Sequence, residues 1–235
     1  REPPRILVPV EVLEGETVAE SVVEFLAPAD VVVLGYHVIP EQTPTEQASM
    51  QFEDRARKAV DTIAATFADA ECNVESRVAF THDRDQTLDR VAAEIDATAV
   101  LLPNPASDVR DVLVPLRGAV DVNRLADLVA TLVERRDVHI TLWDLTTSEG
   151  DEVPLLDQAC QTLRDRGLVD GRVRTESTTV DVPTRAIVDR SSEFDAVVMG
   201  EGEQTLLTTV LGEESERIAE GAVAPVLVVR RHPTT

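Results

Sequence analysis

The sequence predicts an α/β protein made of two tandem copies of one unit, each a parallel sheet with helices on both faces. Apolar, β-branched runs alternate with amphipathic stretches of helical period along the whole chain. Aromatic residues make up only 3% of the sequence, so the core must be Val, Leu, Ile and Ala, the residues of buried parallel strands and the helices that cover them. One pattern is also written twice: LVP at 7–9 recurs as LVP at 113–115, and similar elements follow each in the same order.

Each element has its own justification. After the first LVP, Val18, Val22, Phe25 and Leu26 mark a helix; after the second, Leu125, Leu128, Val129, Leu132 and Val133 mark its counterpart. VVVLGYHV (31–38) and VHITLWDL (138–145) are the second strands. A long helix carrying Phe52, Ala56, Val60, Ile63 and Phe67 follows one. A helix carrying Leu155, Leu156, Ala159, Cys160 and Leu163, stopped by Gly167, follows the other. VESRVAF (74–80) and VRTESTTV (173–180) alternate polar and apolar residues, as edge strands do. Helices then start at Asp83 and Asp181, both good N-caps, with Pro183 near the start of the latter. AVLLP (99–103) matches AVVMG (196–200) as the fourth strand. The expected domains are 1–108 and 109–235.

The copies differ at one place. The second runs on from Gly200 through a glycine-bearing, charged segment to PVLVVR (225–230). The first has only NPASDVRD (104–111) before VLVP, so it is truncated: it lacks that loop, its helix and the fifth strand. The two halves should pair about an internal pseudo-two-fold, and APVLVVRR (224–231) is the strand expected to pair within the chain or, in a homodimer, between chains.

The formal net charge is −22, from 44 acidic residues against 22 basic ones. The apolar periodicity argues against disorder as the cause. So negative a field repels phosphate backbones and disfavours a nucleic-acid partner. Of the 22 basic residues only Lys58 is a lysine. An acidic, lysine-poor surface fits a cytoplasmic protein of a salt-accumulating halophile, because molar salt shrinks the screening length to about 3 Å. An ordinary acidic protein is the alternative. Cys72 and Cys160 are isolated and read as small buried side chains. No apolar run approaches the ~18 residues of a membrane span, so no direct membrane insertion is expected, and no signal-peptide pattern is present. The chain starts at Arg1, not Met, which fits a piece of a longer protein.

Three stretches together resemble the universal stress protein (UspA-like) family in a tandem two-domain form. ILVPVE (6–11) and VLVPLRG (112–118) look like its first strand, and GYHVIP (35–40) like its second-strand ending. The fairly specific part is 199–230, with MG, LGEESERI and APVLVVRR, which looks like G-x2-G-x9-G-[ST] followed by a helix and a Pro-Val-Leu-Val-Val strand. The resemblance implies flavodoxin- or Rossmann-like domains, of the adenine nucleotide alpha hydrolase-like kind, with strand order 3-2-1-4-5. It also implies that ATP-binding members wrap phosphates with the glycine loop and hold adenosine near an Asp after the first strand. Gly200, Gly202, Gly212, Glu213, Pro115 and Arg117 are the matching candidates for an ATP/Mg²⁺ site.

This chain departs from the pattern. Gly200 and Gly202 stand one residue too close, and Glu213 replaces the hydroxyl that would donate to phosphate. The adenosine-side Asp corresponds to Glu11 in the first half and Arg117 in the second. A Glu at a helix start takes the benefit of the helix dipole, about 0.3–1 kcal/mol, and repels a second anion. A Mg²⁺ bridge between Glu213 and phosphate would need a special geometry. The competing reading gives the glycines to turns and close packing and Glu213 to an ordinary helix N-terminus.

No P-loop and no nucleophile elbow occur. His37 and His139 read as structural strand histidines, and His82 in THDRD as part of a helix cap more than a metal ligand. Glu53, Asp54 and Arg57 read as solvated charges on the long helix, and Trp143 as a packing residue. The expected function is therefore a non-catalytic, universal stress protein-type regulatory or ligand-binding module with a degenerate ATP loop. Alternatives are a soluble regulatory domain partnered with a membrane transporter or channel, and a weak ATP binder or slow ATPase.

Overall fold

A computed structural model describes residues 2–104, 106–118, 120–146, 155–168, 170–201 and 221–231. In order, the first half contributes β1 (Arg5–Glu11), α1 (Glu20–Leu26), β2 (Asp30–Val38), α2 (Thr45–Asp69), β3 (Asn73–Thr81), α3 (Arg84–Glu94) and β4 (Ala99–Leu102). The second contributes β5 (Asp111–Leu116), α4 (Val122–Val133), β6 (His139–Thr146), α5 (Leu155–Asp165), β7 (Val173–Thr179), α6 (Pro183–Ser191), β8 (Ala196–Gly200) and β9 (Val226–Val229). The nine described strands form one sheet in the order β3-β2-β1-β4-β9-β8-β5-β6-β7. All pairings are parallel except β4 with β9. The expected mostly parallel α/β architecture is thus the observed one, and the sheet fits two tandem units.

One strand closes both halves. β9 runs parallel to β8, with Val197 opposite Val226 and Gly200 opposite Val229. On its other side β9 runs antiparallel to β4, with Leu102 opposite Val226 and Ala99 opposite Val229. The second half therefore has order 3-2-1-4-5. The first has 3-2-1-4 and takes the same β9 as its outer neighbour. The pairing expected of 224–231 is made within the chain. Both edges of β9 are occupied there, so a homodimer through this strand has no edge to use. All four β9 residues are buried, at about 1.5–3 kcal/mol each relative to exposure.

The antiparallel junction turns the two halves end over end. The carboxyl ends of β1–β3 and of β5–β8 lie at opposite margins of the sheet. One face is covered by α1, α2, α4 and α5, whose Phe25, Phe67, Leu125 and Leu163 share a continuous core with Ile6, Val33, Val114 and Leu227. The other face carries α3 and α6, which pack Leu88, Val91 and Ile187 against Leu7, Val32, Leu113 and Val228. The sheet ends on β3 and β7, the two strands whose alternation marks them as edges.

Local chemistry sets the element boundaries. Asp83 caps α3 as expected, its carboxylate accepting from the Gln86 N–H at 3.0 Å. Asp181 does not cap α6: the N-cap is Val182, without a side-chain cap, and Pro183 opens the helix. Pro at the first helical position removes one of the donors an acid would satisfy. Gly167 follows α5 with φ +84°, the left-handed stop its position suggested. Among the described residues no helix is long and apolar enough to cross a membrane.

Candidate functional site

Ligands of open α/β sheets bind beyond the carboxyl ends of the strands, where the strand order reverses. Each half has one such margin, and their residues are used differently.

In the first half the margin is closed on itself. Glu11 ends β1, and its Oε1 lies 2.8 Å from His37 Nδ1, while its own N–H donates to Glu16 Oε2 at 2.7 Å. The two side chains are only 12% and 22% exposed. His37 is further enclosed by Phe52 and Phe80, with ring centroids at 6.2 and 6.4 Å. Tyr36 accepts from Arg84 Nε at 3.2 Å, and burial pushes its phenol upward. His82 Nδ1 sits 3.2 Å from the Ile39 carbonyl, and Thr87 donates to Thr81 at 2.8 Å. His37 is thus the satisfied strand histidine the sequence suggests. His139 differs: at the first position of β6, its side chain is 47% exposed and stands 4.0 Å from Asp111.

In the second half, Pro115 is buried in β5 opposite Trp143. Arg117 stands exposed just beyond Leu116, at the strand's carboxyl end. Gly118 has φ +61°. Asp121 caps α4, accepting from the Arg124 N–H at 3.0 Å, so the helix N-terminus carries its own anion. Gly200 ends β8, where a Cβ would lie 2.1 Å from Val120 Cγ2. The loop after β5 therefore presses directly on the end of β8. Glu201 then donates its N–H to the Val229 carbonyl at 2.8 Å and accepts from the Arg231 N–H at 3.1 Å through Oε2. Gly202, Gly212 and Glu213 lie outside the described residues.

One polar pair here was not singled out by the sequence. Asp144, near the end of β6, is half-buried and accepts from the Ser177 hydroxyl at 3.3 Å. Burial pushes its carboxyl above the usual carboxylate range, and the Ser177 hydrogen bond opposes this. The signal was a carboxylate inside the apolar run LWDL. Its neighbour Trp143 is a packing residue, 4% exposed, with the Arg190 guanidinium 4.5 Å over its ring.

A groove of about 960 Å³ adjoins the second-half margin at the seam, where Arg5, Asp30 and Thr98 by the amino ends of β1, β2 and β4 face Asp121, Arg124 and Arg166 of the second half. Its arginines are hydrogen-bonded: Arg5 donates to the Ile95 carbonyl at 3.0 Å within the first half, Arg166 to Thr131 at 2.8 Å within the second, and Arg124 across the seam to the Ala97 carbonyl at 3.3 Å. Among the described residues no group of three or more His, Cys, Asp or Glu could hold a metal ion.

The fold is that of the universal stress proteins. A universal stress protein from Archaeoglobus fulgidus superposes with TM-score 0.66 at 16% identity, covering 99% of this chain and 98% of that one. A putative universal stress protein from Pseudomonas aeruginosa superposes with TM-score 0.56 at 15% identity, covering 97% and 93%. No family model matches the sequence, and no curated protein sequence does.

Proposed function

We propose that this chain is a non-catalytic, universal stress protein-type regulatory module with one small-molecule site, at the carboxyl margin of β5, β6 and β8. Its domains are 1–108 and 109–235. It works in the cytoplasm of a salt-accumulating cell, where a net charge of −22 is tolerated. The ligand is nucleoside-like, held without reliance on its phosphates.

The observation that carries this reading is the use of Gly200 and Glu201. The missing Cβ of Gly200 is required by Val120, the amide of Glu201 is bonded to Val229 of β9, and its carboxylate accepts from the Arg231 N–H just past that strand. The start of the glycine loop thus serves internal packing, and its first side chain is an anion. Asp121 already occupies the N-terminus of α4. Beside the exposed Arg117, a triphosphate would meet the carboxylates of Glu201 and Asp121, while a nucleoside would not.

Calorimetry in molar KCl tests the reading. Adenosine should bind at least as tightly as ATP·Mg²⁺, with ATP weaker than about 100 μM, and phosphate release should not exceed that of buffer. ATP bound tenfold tighter than adenosine, or protein-dependent phosphate release, would contradict it.

A further inference from the structure

The register of the two halves allows a residue-by-residue comparison of their ligand margins. VPV (8–10) and VPL (114–116) align, so Val10 corresponds to Leu116. Val10 stands opposite Gly35, and Gly35 opposite Val78. Leu116 stands opposite Asp144, and Asp144 opposite Ser177. The row Val10–Gly35–Val78 is therefore Leu116–Asp144–Ser177 in the second half. Two positions past the aligned motif, Val12 becomes Gly118.

In the first half this row is filled. A Cβ on Gly35 would lie 2.1 Å from Val60 Cγ2 and 2.8 Å from Val12 Cγ1, so valines from the following loop and from α2 close over the glycine. In the second half the glycine has become a carboxylate and the partnering valine a hydroxyl. Of the two valines that close the row, the loop valine, Val12, is replaced by another glycine, at φ +61°. Half-burying a carboxylate disfavours its charged form, and one hydroxyl bond at 3.3 Å only partly offsets this. The other half shows that the fold closes without any polar group here.

We infer that Asp144, oriented by Ser177, is the specificity-determining acceptor of the second-half site, selecting ligands that present an amino or hydroxyl donor and disfavouring anions. The inference rests on the proposed nucleoside-like ligand of that margin. A carboxylate only accepts, so the group it meets must donate. Sites built to bond a donor discriminate against ligands that lack it in proportion to how far the acceptor is shielded from water, and Asp144 is half-buried beside an exposed Ser177. The first half, with Gly35, Val78 and Val12, has no such acceptor and no second site.

The test is calorimetric titration of the intact chain in molar KCl with adenosine and with ATP·Mg²⁺ as probes, for wild type, Asp144→Asn and Ser177→Ala. Trp143 fluorescence checks folding in each. Asp144→Asn should lower adenosine affinity by about tenfold, since the neutral amide oxygen is a weaker acceptor than the carboxylate. Ser177→Ala should lower it by a smaller factor, and it keeps the test open if the Asp144 variant misfolds. Adenosine affinity unchanged or raised in these variants overturns the inference while leaving the proposed function standing. A rise in ATP affinity without loss of adenosine affinity also overturns it, because Asp144 would then act only as a nearby charge. Wild type that binds neither probe overturns both.

Discussion

Leu102 of the first half lies directly opposite Val226 of the second, at one end of the antiparallel β4–β9 pairing that joins the two halves into one sheet. The first half cannot complete its sheet without a strand near the end of the chain. The two halves should therefore unfold together. The chain has one Trp and one Tyr, Trp143 in the second half and Tyr36 in the first, which report the halves separately. Leu227, 2% exposed in β9, should cost about 2–5 kcal/mol as Leu227→Ala. Denaturation followed by Trp143 fluorescence and by a ¹⁹F label on Tyr36 should give coincident transitions, both shifted. Two separate transitions, or a shift in one probe alone, would contradict the shared strand.

Gly35 and Gly200 hold analogous close approaches, each with a valine Cγ2 where a Cβ would be, at 2.1 Å. Valine is stiff about χ1, so it cannot swing aside cheaply. Gly35→Ala and Gly200→Ala should each destabilise by about 1–3 kcal/mol in chemical denaturation. Pairing them with Val60→Ala and Val120→Ala should recover part of the loss. No recovery would mean the contact is not the source of the constraint.

Asp144 fixes a sign in pH dependence. Desolvation raises its folded pKa above the unfolded value, so its contribution to stability is fully present below the unfolded pKa of about 3.9 and is lost as pH rises through the folded one. Asp144→Asn keeps the neutral form at all pH. The variant should melt higher than wild type at neutral pH, with the gap closing as pH falls toward that value. A gap independent of pH would show that the carboxyl is not desolvated.

Cys72 is buried, and desolvation, followed by the charge of Asp30, pushes its thiol up to about 11. It should resist thiol-specific labelling at pH 8 until the chain unfolds. Mass-mapped labelling of the native protein that reaches Cys72 as fast as a free thiol would contradict this burial.

The net charge of −22 predicts that the melting temperature climbs steeply between dilute buffer and molar KCl, as screening relieves carboxylate repulsion. A flat salt response would leave the charge as that of an ordinary acidic protein.

Periodicity made the elements legible, because each helix and strand buries one side of its pattern; the edge strands 74–80 and 173–180 and the Asp83 cap follow directly. Asp181 misled because Pro183 shifts the helix start to Val182, a competition between two good start signals. The site was less legible. Glu11 and His37 meet only because β1 and β2 pair in register. The contrast between Gly35–Val78 and Asp144–Ser177 requires three strands to be laid side by side. Spacing within one strand carries no trace of such rows. The glycines of the 199–230 stretch are visible in the sequence, but that Gly200 answers to Val120 is a tertiary fact.

The most direct measurement is the stoichiometry of adenosine on the intact chain, by calorimetry in molar KCl. One site per chain is predicted, from the margin that keeps Asp144, Ser177 and Gly118. Two sites per chain, or no binding at all, would contradict the account.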